Sequence, residues 1–259
     1  MSDTHYTAEE LMTVAAARQL RDGQVVFVGI GLPSQAANLA RLTNAPGVVL
    51  IYESGTIGAA PDVLPLSIGD DELADSADVV VGLPEIFAYW LQAGRVDVGF
   101  LSAAQIDRFG NLNSTVIGTY ANPTVRLPGA GGAPEIASSA GTVIVMLRHS
   151  QRTFVPEVDF ITSVGFGRHG EGRAGHRGSG PSVVITDLGV LEPDPDRGEL
   201  RLTAVHPGVE VSQVLEATDW PLLVDDRIST TEPPEETELQ VLRDLLARTS
   251  RAHGGGALS

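Results

Sequence analysis

Glu53 ends the apolar run Val48-Val49-Leu50-Ile51-Tyr52 and is followed at once by Ser54-Gly55. Such a run reads as a parallel strand buried on both faces. Open α/β sheets collect ligands at the carboxyl ends of their strands, so this carboxylate is carried to the rim where chemistry takes place. There it can act as a base, an acid or a covalent nucleophile. It can equally be a strand-end acid that accepts N–H bonds from the next turn. A second stretch, Arg126-Leu127-Pro128-Gly129-Ala130-Gly131-Gly132-Ala133-Pro134, packs three glycines in front of a predicted helix. Glycine lets backbone approach a ligand closely and aim N–H groups at negative charge. Turn-making alone accounts for one or two of these glycines, and an anion or oxyanion role accounts for all three. A third stretch, Gln105 to Thr115, is rich in side-chain amides and also reads as a hairpin or wide turn, with Asn and Gly in left-handed positions.

Composition narrows the chemistry. All 17 basic residues are arginine, and lysine and cysteine are both absent. This chain therefore cannot supply a Schiff base, a P-loop lysine, a thiol nucleophile or a thiolate metal site. Covalent catalysis from it would fall to a carboxylate, a hydroxyl or an imidazole. A net charge of −16 argues against nucleic acid, which wants a basic stripe. With 42% hydrophobic residues, 259 residues can bury a substantial core. No apolar run reaches the ~18–20 residues of a membrane span. The polar stretch Met1 to Glu10 does not read as a signal peptide, so a cytoplasmic protein is expected.

The elements that must position these residues alternate as in an α/β protein. Thr7-Ala8-Glu9-Glu10 is a capping box that opens a first helix with Gly23 as its stop. A strand from Gln24 to Ile30 leads through Gly29-Ile30-Gly31 into a helix from Gln35 to Leu42; the missing third glycine favours a tight turn over a nucleotide fingerprint. Strand Val48 to Tyr52, helix Pro84 to Ala93 (Phe87, Trp90 and Leu91 inward) and strand Val96 to Leu101 follow. Helix Glu135 to Ala140 and strand Val143 to Leu147 continue the pattern. The acidic cluster Asp70 to Asp78 reads as a solvated face. Gly165 to Gly180, with seven glycines, Arg168, Arg173 and Arg177, reads as an excursion packed on a partner or disordered, in preference to a phosphate-gripping lid. Val183 to Leu191 and Leu200 to Val205 flank a predicted hairpin turn, His206 reads as structural, and a helix from Glu235 to Arg251 ends the pattern. No repeat or linker divides the chain, so residues 1–259 are expected to form a single domain.

Taken in order, Tyr52-Glu53-Ser54-Gly55, Ala104-Gln105-Ile106-Asp107-Arg108-Phe109-Gly110-Asn111, Leu127 to Pro134 and Thr203-Ala204-Val205-His206-Pro207-Gly208 resemble the family I coenzyme A transferases, specifically their β subunits. The resemblance spans nearly the whole chain. It implies an α/β fold, an open, mostly parallel sheet with flanking helices. It places the catalytic glutamate at Glu53, an oxyanion-donating amide at Asn113, and backbone N–H groups beside coenzyme A at Gly129, Gly131 and Gly132. It implies no metal and no bound cofactor, coenzyme A being a substrate, and an α subunit as obligate partner. The activity implied is transfer of CoA from succinyl-CoA to a dicarboxylic acid, 3-oxoadipate first, through a glutamyl-CoA thioester. Arg126 or a partner arginine would meet the distal carboxylate, and Arg108 serves equally as a structural ion pair. Two other readings use the same residues: a CoA-ester hydrolase or ring-opening enzyme with Glu53 as base, and a non-catalytic binding protein within the complex.

Overall fold

The computed structural model describes residues 5–254. In chain order its elements are α1 (Ala8–Ala17), β1 (Val25–Val28), α2 (Leu32–Leu42), β2 (Val49–Tyr52), β3 (Thr56–Ile57), α3 (Asp71–Asp75), β4 (Val79–Val80), α4 (Leu83–Glu85) and β5 (Val98–Leu101). There follow β6 (Gln105–Ile106), β7 (Leu112–Asn113), β8 (Val116–Gly118), β9 (Pro123–Arg126), α5 (Ala133–Ser139), β10 (Thr142–Met146), β11 (Pro181–Ile185), β12 (Gly189–Pro193), β13 (Leu200–Val205), α6 (Val211–Glu216), β14 (Leu223–Thr230) and α7 (Glu236–Ala252). The described residues group into two compact units, one running up to Phe100 and resuming at Pro233, the other Leu101–Glu232. The expected class, an open α/β sheet with flanking helices, is what the chain adopts.

In the first unit the strands lie in the order β5-β1-β2-β3-β4. The apolar runs β2 and β5 both pair in parallel with β1, and the short β3 and β4 add on antiparallel. Leu50, Ile51 and Tyr52 of β2 are completely buried, as a strand covered on both faces requires. In α1, Thr7 Oγ1 accepts from Glu10 N at 3.1 Å and Thr7 N donates to Glu10 Oε2 at 2.8 Å, the capping box read from sequence. The helix ends at Ala17, well before Gly23; that glycine instead makes a left-handed turn into β1. Arg18, the C-cap, forks onto Glu238 of α7 at 2.6 and 2.8 Å. The helix expected at Pro84 to Ala93 starts as α4 and widens into a π-helical stretch, Ile86–Leu91. Ile86 and Leu91 are fully buried, Phe87 packs on Phe27 with ring centroids 6.0 Å apart, and Trp90 is only half-buried. Asp70 caps α3 through Glu72 N, so part of the acidic cluster serves the local fold.

In the second unit β10 and β11 are parallel, β11-β12-β13 form consecutive antiparallel pairs, and β14 lies parallel to β13. The strand expected from Val183 to Leu191 is divided, because Thr186 Oγ1 accepts from both Leu188 N and Gly189 N and turns the chain there. The hairpin around residues 192–198 forms as expected. His149 is stacked on Phe154 at 3.6 Å, and Phe154 on Trp220 at 5.8 Å. The ring nitrogens of His149 meet Thr186 Oγ1 at 3.2 Å and Thr218 Oγ1 at 2.9 Å. His206 Nε2 faces the Thr186 carbonyl at 2.7 Å, so that nitrogen carries the proton, and Nδ1 faces Thr231 Oγ1 at 3.0 Å. His206 is thus a satisfied core residue. Burial lowers the affinity of both rings for a second proton, taking His149 from 6.5 to about 4.

The sign of that shift gives a test. An unfolded chain protonates His149 near pH 6.5 and the folded one only near pH 4, so stability falls as pH drops through this window. In urea titrations, wild type should lose about 2 kcal/mol more between pH 7 and pH 5 than His149→Gln. Equal losses would show that the folded ring protonates normally.

Candidate active site

The end of β2 is held by side chains beneath it. Tyr52 is fully buried, its hydroxyl 3.2 Å from Ser34 Oγ and 3.3 Å from Asn38 Nδ2 on α2. Asn38 Nδ2 also donates to Ser34 O at 2.9 Å, and Arg41 joins the group by donating to Asn38 Oδ1 and Pro61 O. Burial raises the Tyr52 phenol above its usual range, so it stays neutral. The partnership of Ser34 and Asn38 with Tyr52 escaped the sequence reading; the signal available was a pair of short polar residues four apart on one face of a helix.

Directly after Tyr52 the chain reverses. Gly55 N donates to Tyr52 O at 3.0 Å, and Val81 N to Gly55 O at 3.0 Å. Gly55 takes φ +106°, and a Cβ there would collide with the Val81 carbonyl, so only glycine fits. Glu53 sits on this turn, partly buried. Among the described residues no hydrogen bond or ion pair reaches its carboxylate. A strand-end acid serving as a local acceptor would show such bonds.

In the second unit the amide-rich stretch is a hairpin, β6 against β7. Asn113 uses both amide hydrogens, one on Gln105 Oε1 and one on Val116 O, each at 2.7 Å. Its Oδ1 accepts from Thr115 N and Val116 N at 3.0 and 3.2 Å. The residue expected as an oxyanion donor therefore has no N–H left in this arrangement and holds the hairpin together. Asn111 is equally committed, to Asp107, Gly167 O and Gly165 N. Burial pushes the Asp107 carboxyl up, with the hydrogen bonds from Asn111 and Phe109 opposing.

The glycine-rich loop is tied to this hairpin. Gly129 N donates to Ser114 O at 2.9 Å, Ser114 Oγ to Gly129 O at 2.8 Å, and Leu127 N to Thr115 O at 3.1 Å. Asn113 and Gly129 are thus brought onto one scaffold. Gly129 and Gly131 have φ +110° and +48°, values that keep the loop turned before α5. The Gly129 amide is engaged, whereas those of Gly131 and Gly132 find no acceptor among the described residues. Two of the three expected donors remain open.

Arg173 orders the Gly165–Gly180 segment. Its guanidinium donates to the carbonyls of Val164, Gly165, Gly178 and Ala137 at 2.5–3.0 Å. The segment packs on its own unit, and its central cation is occupied by backbone. Arg126 donates to Tyr120 O at 2.9 Å and lies 4.8 Å over the Tyr120 ring.

These features can be set against known proteins. The coenzyme A transferase family model matches residues 9–217, and the chain belongs to that family. It is 60% identical to the B subunit of 3-oxoadipate CoA-transferase from Pseudomonas knackmussii over 96% of each chain. The B subunit of glutaconate CoA-transferase from Acidaminococcus fermentans is 37% identical over 93% of this chain and 92% of its own. The crystal structure of glutaconate coenzyme A-transferase from Acidaminococcus fermentans superposes with a TM-score of 0.88, at 33% identity over 95% of this chain and 97% of that one. The chain is therefore a CoA-transferase subunit, closely similar to the B subunit of the 3-oxoadipate enzyme. Among the described residues, no helix is long and apolar enough to cross a membrane.

Asn113→Ala should leave the Gln105 and Val116 acceptors and two backbone amides unpaired, costing about 2–4 kcal/mol in denaturant titrations. A loss of activity at unchanged stability would instead return Asn113 to the chemistry.

Proposed function

We propose that this chain is the cytoplasmic B subunit of a CoA transferase that moves CoA from succinyl-CoA to 3-oxoadipate, with Glu53 as nucleophile and an A subunit as partner. One observation carries the reading. A carboxylate with no partner among the described residues stands at a strand end anchored by Tyr52, in a chain 60% identical to a 3-oxoadipate CoA-transferase subunit. The carboxylate attacks the thioester carbonyl and expels CoA thiolate, leaving an acyl-glutamyl anhydride. The thiolate then attacks the glutamyl carbonyl, releasing succinate and forming a Glu53–CoA thioester. The acceptor acid runs both steps in reverse. No net proton is transferred in either exchange, so the sequence needs no base. It needs donors for each oxyanion and shelter from water.

The test uses the complex with its A subunit. After incubation with succinyl-CoA, borohydride or hydroxylamine should modify Glu53 alone, as read by peptide mass spectrometry. Glu53→Gln should lose more than about a thousandfold in kcat. Among dicarboxylic acceptors, 3-oxoadipate should give the highest kcat/KM. An unmodified Glu53 in an active complex overturns the covalent mechanism, and preference for another acid overturns the substrate.

A further inference from the structure

Five buried side-chain polar atoms have no hydrogen-bond partner among the described residues: Thr13 Oγ1, Ser54 Oγ, Thr56 Oγ1, Arg201 Nε and Trp220 Nε1. Two of the five lie within three residues of Glu53. Buried polar groups are nearly always paired, so an orphan calls for an explanation, and one beside a reacting carboxylate calls for a chemical one. Thr56 belongs to β3, opposite Val80 in the ladder. Ser54 instead occupies the same tight turn as Glu53, closed by the Gly55 N to Tyr52 O bond. Its hydroxyl is a short, buried donor on the residue next to the nucleophile.

We propose that Ser54 is a catalytic residue whose hydroxyl donates to the oxyanion formed on the Glu53 side-chain carbonyl. The inference rests on the reading of Glu53 as the covalent nucleophile. When CoA thiolate attacks the anhydride at the glutamyl carbon, a C–S bond forms and the carbonyl π electrons move onto oxygen. At rest no hydrogen bond joins Ser54 Oγ to the Glu53 carboxylate, so the proposed contact forms only as the glutamyl carbon becomes tetrahedral. Collapse restores the C=O, breaks the bond to the acyl oxygen and releases the carboxylate, while the hydroxyl proton stays on Ser54 throughout. A donor that is unpaired at rest and paired in the transition state raises kcat and leaves KM alone.

The experiment compares wild type, Ser54→Ala, Ser54→Asn and Thr56→Val, each in complex with the A subunit. It measures single-turnover formation of the Glu53–CoA thioester from succinyl-CoA, together with KM and melting temperature. Ser54→Ala should slow thioester formation about 10²-fold. Its KM should stay within about twofold and its melting temperature should not fall, because an unpaired buried group has been removed. Ser54→Asn, which keeps an N–H donor, should recover most of the rate, and Thr56→Val should match wild type. Thioester formation at the wild-type rate in Ser54→Ala overturns the proposal while leaving the covalent role of Glu53 intact. So does a joint loss of rate and melting temperature that Asn does not rescue. A wild-type complex that never modifies Glu53 overturns the covalent reading, and this proposal falls with it.

Discussion

The placement of Glu53 depends on a polar contact buried beneath it: the Tyr52 hydroxyl against Ser34 and Asn38. A phenol in an apolar interior must find partners, and here they come from the helix packed on its strand. Satisfying that requirement fixes the last residue of β2 in depth and rotation. The following residue inherits the constraint, because the Gly55 turn leaves it little freedom. Glu53 is thereby held in place with no bond to its own carboxylate among the described residues. Such an arrangement suits a nucleophile, since each hydrogen bond to the resting carboxylate would have to be given up on attack.

The second unit shows a complementary division of labour. Asn111, Asn113, Gln105 and Arg173 are the side chains that look most like ligand binders, and each is engaged in holding loops. Among the described residues, the amides of Gly131 and Gly132 remain available, on a loop that Ser114 and Thr115 tie to the hairpin. Backbone donors carry no rotamer freedom, so their direction is set by the fold, which favours preorganised electrostatics.

The sheet and helix order was legible because β2, β5 and β10 are apolar runs and α1 and α7 carry strong capping signals. The hairpin β6–β7 was legible as a turn-rich segment, whereas the short strands β3, β4, β8 and β9 were not, since two to four residues have no periodicity to read, and β14 was hidden by the charges at residues 225–227. The division of residues 181–193 into two strands turns on one threonine hydroxyl, which resembles any other strand threonine in sequence. At the site, Glu53 and the glycines were found by residue type and context. The commitment of the Asn113 amide was not, because whether an amide is open depends on atoms brought to it from positions 105 and 116.

Arg173 has a chemical consequence beyond holding its loop. Its four carbonyl acceptors could in part be met by an ammonium group, yet the chain uses guanidinium here and at every other basic position. Guanidinium stays protonated at neutral pH and is a poor nucleophile, whereas a lysine amine freed of its proton would attack thioesters and anhydrides. A protein that meets activated acyl groups without a lysine amine or a cysteine thiol lacks the two side chains most prone to unwanted acylation, so its surface is spared that loss over repeated turnover.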